Sequence, residues 1–199
     1  MQPLNIILHL NIIMNKSLNL IFMKRKNNYY LFIIGLLITF TACSNDDFNE
    51  QSDFEKSLNA FRSFKRECND TYQYKVTGST WVGVSWHTVI TVKEGKVIQR
   101  AFKYDYIRDE FLENMKEEQE WVENEDEICS HENYPAAAAI NMDEVYDLAK
   151  NKWLQKKEHT ELFFETDNHG MISLCGYRDV RCTDDCFRGI SIESITPVL

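Results

Sequence analysis

Six cysteines carry the most chemical information in this chain: Cys43, Cys68, Cys129, Cys175, Cys182 and Cys186. The last three form Cys-x6-Cys-x3-Cys, and a zinc site could use them with His131 or His169. Structural zinc sites usually hold thiolates in Cys-x2-Cys pairs. That pairing is absent here, so zinc is the weaker reading and a disulfide staple the stronger, provided the chain reaches an oxidising compartment. Asp179, Asp184 and Asp185 share the same loop and could hold calcium through hard oxygen ligands. They lack the glycine and terminal glutamate of an EF-hand, and loop acids more often stay solvated or cap a turn. Trp81 and Trp86 flank Val82-Gly83-Val84-Ser85. On a loop, two indoles could stack on a sugar or anchor a protein partner; in the interior they would be core residues.

Catalytic signatures are missing from the sequence. It contains no His-Glu-x-x-His, no Gly-x-Ser-x-Gly and no dinucleotide fingerprint. Seven glycines in 199 residues argue against a backbone phosphate cradle. His87, His131, His159 and His169 fall on strand ends or in loops, with no nucleophile marked beside them. Carboxylates are so numerous that no acid–base pair stands out. A non-catalytic domain without a cofactor is therefore the expectation, and a hydrolase built on unrecognised carboxylates is the alternative.

Charge narrows the partners. The chain has 22 Lys and Arg against 31 Asp and Glu. Residues 1–42 hold four bases and no acid, so the remainder carries 18 bases against 31 acids, a net of −13. Such a body argues against nucleic acid or anionic lipid bound through broad charge. Residues 109–127 alone hold ten acids and one base, Lys116. They read either as an exposed helix that aids solubility or as a landing strip for a basic partner.

The N-terminus reads as an address. Lys24-Arg25-Lys26 precedes an apolar run from Leu31 to Ala42, a basic flank and core of signal-peptide length. The run is too short for a membrane span, which takes about 20 apolar residues. Met23 would open a conventional signal of this kind, with residues 1–22 lying upstream of the true start. Phe40-Thr41-Ala42-Cys43 resembles the lipobox of bacterial lipoproteins, with Phe40 in place of the usual leucine. That resemblance implies lipidation of Cys43 and removal of residues 1–42. Cys43-Ser44-Asn45-Asp46-Asp47 then resembles the acidic export tag that displays lipoproteins on the cell surface. The expectation is a protein anchored by lipid to the outer membrane and not spanning it, with surface exposure as a further possibility.

Three segments follow: a signal peptide at 1–42, a lipidated cysteine and acidic tether at 43–51, and one globular domain at 52–199. Five cysteines remain once Cys43 carries lipid. One bond is expected among Cys175, Cys182 and Cys186, and another between Cys68 and Cys129, with one thiol left over. Ser52-Asp53-Phe54-Glu55 fits a capping box, and Phe54, Leu58, Phe61 and Phe64 at helical spacing predict a first helix to about Cys68. Thr71–Val76 alternates, with Tyr72, Tyr74 and Val76 on one face. His87–Lys93 and Lys96–Tyr104 form a hairpin around Glu94-Gly95. The acidic stretch Asp105–Glu127 reads as mostly helical. Asn141-Met142-Asp143-Glu144 starts another helix, with Val145, Leu148, Ala149 and Trp153 on its apolar face. Leu162–Thr166 and Met171–Cys175 read as a hairpin across Asp167–Gly170, and Gly189–Ile195 as a final strand. The sum is an α+β fold in the order αβββ–αα–βββ, an antiparallel sheet of about six strands packed on helices.

Tyr72-x-Tyr74, Val92-Lys93-Glu94-Gly95-Lys96-Val97, Met142–Tyr146, Phe164-Glu165-Thr166-Asp167-x-x-Gly170, Tyr177-Arg178-Asp179 and Asp184-Asp185 together resemble an uncharacterised family of small secreted or lipoprotein domains. The likeness covers about residues 55–196. Where that family often has a Cys-rich pair after the first strand, this chain has Thr77-Gly78-Ser79-Thr80-Trp81. The resemblance implies the α+β fold and carries no activity. The functional expectation is a cell-envelope lipoprotein with a non-catalytic binding domain. Trp81 and Trp86 are candidates for its contact with a protein or glycan. A calcium-dependent domain built on Asp179, Asp184 and Asp185 is the other alternative.

Overall fold

The computed structural model describes residues 45–112, 118–184 and 186–198. The expected signal peptide and Cys43 lie outside them. The chain divides after Gln51, and the fold below is that of Ser52–Leu199. Helix α1 (Asn45–Glu67) is followed by β1 (Tyr72–Thr80), β2 (Val84–Lys93), β3 (Lys96–Ile107), one helical turn α2 (Asp109–Leu112) and β4 (Glu120–Asn124). Helix α3 (Met142–Leu148) runs into a π-helical turn (Ala149–Trp153), and β5 (Thr160–Glu165), β6 (Leu174–Asp179) and β7 (Arg188–Pro197) complete the chain. The seven strands form one antiparallel sheet in the order β4-β3-β2-β1-β7-β6-β5. Two meanders, β1–β4 and β5–β7, meet where the first strand pairs with the last.

The α+β architecture is as expected, with seven strands in place of about six. Helix α1 starts at Asn45, inside the stretch read as a tether, and not at the Ser52 box. It lays Phe54 and Phe61 into the core, with Leu58 and Phe64 beside them. On β1, Tyr72, Tyr74 and Val76 are buried, the alternation a half-covered strand requires. Burial pushes both phenols far above their ordinary pKa, so they stay neutral hydrogen-bonding groups. Tyr74 Oη donates to the Ile140 carbonyl at 2.5 Å, and Tyr72 Oη accepts from the Met142 N–H at 3.0 Å. The start of α3 is thereby tied to the sheet. Asn141 caps α3 reciprocally with Glu144, as its sequence predicts. Glu94 and Gly95 both have positive φ, which the β2–β3 turn needs.

Two elements differ from expectation. The strand expected at Met171–Cys175 is displaced, so that only Leu174 and Cys175 of that segment belong to it, in the expected hairpin with β5. Met171 and Ile172 are buried in the core, and β6 begins at Leu174, opposite Glu165. Among the described residues of the acidic stretch read as a helix, Asp109–Leu112 form one helical turn, Glu120–Asn124 the edge strand β4 and Glu125–Glu127 a 3-10 turn. Crowded acids at helical spacing repel one another, and a tertiary partner settles the outcome. Arg100 of β3 is buried, and the β4 register sets Glu123 opposite it and Trp121 opposite Phe102. Arg100 donates twice to the Glu123 carboxylate, at 2.8 and 2.8 Å. Glu123 also accepts from the Cys129 and His131 N–H groups at 2.9 and 2.7 Å and from Ser130 Oγ at 3.2 Å. The Trp121 ring contacts both the Arg100 guanidinium, 4.9 Å from its centroid, and a parallel His131 ring 4.4 Å away. One carboxylate, itself within the stretch whose acids suggested a landing strip, thus holds residues 129–131 at the sheet edge.

Burial alone would raise the Glu123 carboxyl, but the Arg100 bonds and the two backbone N–H groups outweigh it and hold it at about 2. A carboxylate whose folded pKa is depressed contributes stability above its unfolded pKa and loses it as pH falls. Denaturant titrations should therefore show the wild type losing stability between pH 4.5 and about 2. Glu123→Gln, which leaves Arg100 buried and unneutralised, should be less stable by about 3 kcal/mol at pH 7. Its gap to wild type should narrow across the same acid window.

Candidate binding cleft

The seam between β1 and β7 closes only halfway. Their pairing runs from Tyr72–Pro197 to Val76–Ile192, with a register shift between Lys75 and Val76. Beyond it β1 continues to Thr80, paired on its other side with β2. β7 starts at Arg188, paired on its other side with β6 as far as Ser191. Residues Thr77–Thr80 and Arg188–Ser191 diverge from each other and line a cleft of about 1060 Å³. Bulges bend and overtwist a strand, which accounts for a split beginning at one. Thr77 Oγ1 and Ser191 Oγ meet at 3.3 Å where the strands part.

Glycines shape both walls. A Cβ on Gly78 would lie 2.6 Å from Trp86 Cε2, so the indole packs directly on the β1 backbone and lines the cleft. Trp153, Leu148 and Ala136–Ala138 continue this wall on the helix-covered side. Phe187 lies over Gly176 and Gly189 in the same manner, 5.9 Å from the Phe163 ring, and forms the opposite wall with Leu174. Arg178, Arg188, Asp105 and Asp184 also line the cleft. Arg178 is bonded to Glu161 at 2.5 Å, and Asp105 to His87 Nδ1 at 2.6 Å. Among the described residues no serine, threonine or cysteine bonds the His87 ring. The arrangement suits binding: aromatic and aliphatic walls with a few polar groups.

The residues singled out from sequence scatter. Trp86 is in the cleft, whereas Trp81 sits on the β1–β2 turn with 73 % of its surface exposed and does not line it. Asp179 is held by Arg181, whose Nε and Nη2 reach its two oxygens at 3.0 and 2.7 Å. Those bonds and the Arg181 N–H hold its carboxyl well below the usual carboxylate range. Asp184 faces the cleft, and Asp185 lies outside the described residues. Among the described residues, no three His, Cys, Asp or Glu side chains gather as a metal-ligand set. His131 stacks on Trp121, and His169 occupies the turn before Gly170 with positive φ.

Cys182 and Cys186 form a disulfide, Cα to Cα 6.2 Å, the bond expected among the three clustered cysteines. Cys186 lines the cleft, so the staple borders it. The expected bond between Cys68 and Cys129 is absent, and both thiols are free. Cys68 closes the end of α1 with its thiol toward the Lys65 carbonyl, while Cys129 is held through its N–H by Glu123, in the loop beyond the edge strand. Sequence reasoning missed the cleft itself, since it depends on where strand pairing ends. Its one signal was a set of glycines inside strands, at 78, 176 and 189, which mark close backbone or ring approach.

Among known proteins, no family model, no curated protein sequence and no solved structure matches this chain. Among the described residues no helix is long and apolar enough to cross a membrane, a statement that leaves β-barrels untouched.

Two outcomes follow from this geometry. Trp86→Ala should lose about 2 kcal/mol in a denaturant melt because the ring packs on β1, whereas Trp81→Ala should stay within about 0.5 kcal/mol. Timed alkylation read by mass spectrometry should label exposed Cys129 first. Cys175, buried with its thiol pushed up to about 12, should react only on unfolding.

Proposed function

We propose that this chain is a cell-envelope lipoprotein whose globular domain binds a protein or a glycan and performs no chemistry. Its anchor is the lipid expected on Cys43, and its binding site is the cleft between β1 and β7. The supporting observation is the cleft's composition: an indole packed on a glycine, a second aromatic wall and unoccupied hydrogen-bonding edges, with no nucleophile bonded to the His87 ring among the described residues. The placement of Trp86 supports half of the aromatic pair read from the sequence. Trp81, on the exposed turn, is left as a peripheral contact.

The test has two parts. Labelled palmitate should enter the chain and disappear with Cys43→Ser, which should also leave the membrane fraction. The full chain in detergent should retain ligands on a glycan array or from a displayed peptide library. Ala138→Trp, placing a bulky ring at an exposed position on the cleft wall, should reduce that retention at least tenfold while the fold stays intact by circular dichroism. Binding unaffected by this ring would overturn the assignment of the cleft.

A further inference from the structure

The cleft has a property that a saccharide pocket does not require: two strand edges face each other across it with no strand between them. From Thr77 to Thr80, β1 has β2 on one side and the cleft on the other. From Arg188 to Ser191, β7 has β6 on one side and the cleft on the other. Which backbone groups face inward follows from alternation along a strand. The Ile192 N–H donates to the Ser173 carbonyl at 2.7 Å, on the side away from β1. Three residues earlier, the N–H and C=O of Gly189 therefore turn toward β1. Val76, opposite Ile192 in the same seam, turns its own groups toward β2, so those of Ser79 turn into the cleft.

We infer that this slot receives an extended polypeptide segment of a partner protein, inserted as a strand between β1 and β7. This rests on the reading of the cleft as the binding site and specifies its ligand. Four residues on each edge correspond to about 13 Å of strand at roughly 3.3 Å per residue. Hydrogen bonds to Ser79 and Gly189 supply affinity that is independent of side chains, as in other strand-addition complexes. Specificity comes from the walls, because alternate side chains of an inserted strand project to opposite faces. One set meets Trp86, Trp153 and Leu148 on the helix-covered face; the other meets Leu174 and Phe187 on the open face. Both walls are mainly apolar, with Arg178, Arg188, Asp105 and Asp184 as the charged groups of the cleft, so the inserted residues are mainly apolar on both faces. Charge selects what flanks them. The chain beyond residue 42 carries a net of −13, and a segment with basic flanks is drawn to it at long range. The Lys75–Val76 bulge and the Thr77–Ser191 contact set the inner limit of insertion.

The probe is a phage-displayed random dodecapeptide library selected on the full chain in detergent, followed by synthetic copies of the enriched peptides. Enriched peptides should carry four or more consecutive β-forming apolar residues between Lys or Arg flanks. N-methylation of alternate amides within that run should weaken binding at least tenfold in one alternation and little in the other. Ser79→Pro removes the inward N–H of β1 at a strand edge, where proline is tolerated. It should weaken binding at least tenfold, while Ser79→Ala stays within twofold of wild type and both melt within a few degrees of it. Peptides indifferent to backbone methylation and to Ser79→Pro would overturn the insertion. Glycan-array binding lost with Ala138→Trp, without any enriched peptide, would overturn it too and leave the binding-domain reading standing. Silence on both array and library would overturn both.

Discussion

The pairing of β1 with β7 is the constraint on which the rest of this structure depends. Each meander alone is a small sheet with one face to cover, and only the five-residue seam makes them a single surface under α1 and α3. The seam also centres the core. Tyr72, Tyr74 and Val76 lie on one strand of it, and Ile192 and Ile195 on the other. Where the seam stops, the core opens into the cleft, so stability and the candidate site are two ends of one strand pair.

A second organising contact stands at the far edge. The Arg100–Glu123 pair is enclosed among the rings of Trp121 and His131 and the backbone of residues 129–131. Removing two charges from water is costly, and such a pair is better evidence of specificity than of stability. Here it selects β4 as the edge strand, because a one-residue slip would turn Glu123 outward and leave Arg100 buried alone. The chain crossing from β4 to α3 is thereby held over β2, where the Ala137 N–H bonds Thr88 Oγ1 at 3.0 Å. That crossing is what carries Ala136–Ala138 to the cleft wall.

Much of the fold was legible because local signals agreed with tertiary ones. The Phe54–Phe64 periodicity, the alternation at Tyr72–Val76, the Glu94-Gly95 turn and the Asn141 cap each correspond to an observed element. Residues 109–127 misled because their pattern is dominated by charge, and the one acid that matters is distinguished only by a partner 23 positions earlier. Met171 and Ile172 misled in another way: buried apolar residues in a loop have the same composition as the strand that begins just after them, at Leu174. Of the candidate site, Trp86 was visible as a residue type and the short disulfide as a spacing. The cleft was not, since no local pattern records where two distant strands separate. The same holds for Cys68 and Cys129: that five cysteines beyond Cys43 leave one over was legible, and what surrounds these two was not.

The chain order of the sheet has a consequence for biogenesis. Residues joined across the seam are more than a hundred positions apart. A chain that emerges N-terminus first cannot complete its central ladder until the last strand has appeared, and topologies dominated by such distant pairings fold slowly. Until then β1, already paired with β2, presents one open edge and a row of aromatic side chains, the kind of surface on which partly folded chains stick to one another. A protein built this way depends on chaperone-type holding factors, or on rapid completion, more than one whose first and last strands lie at opposite margins.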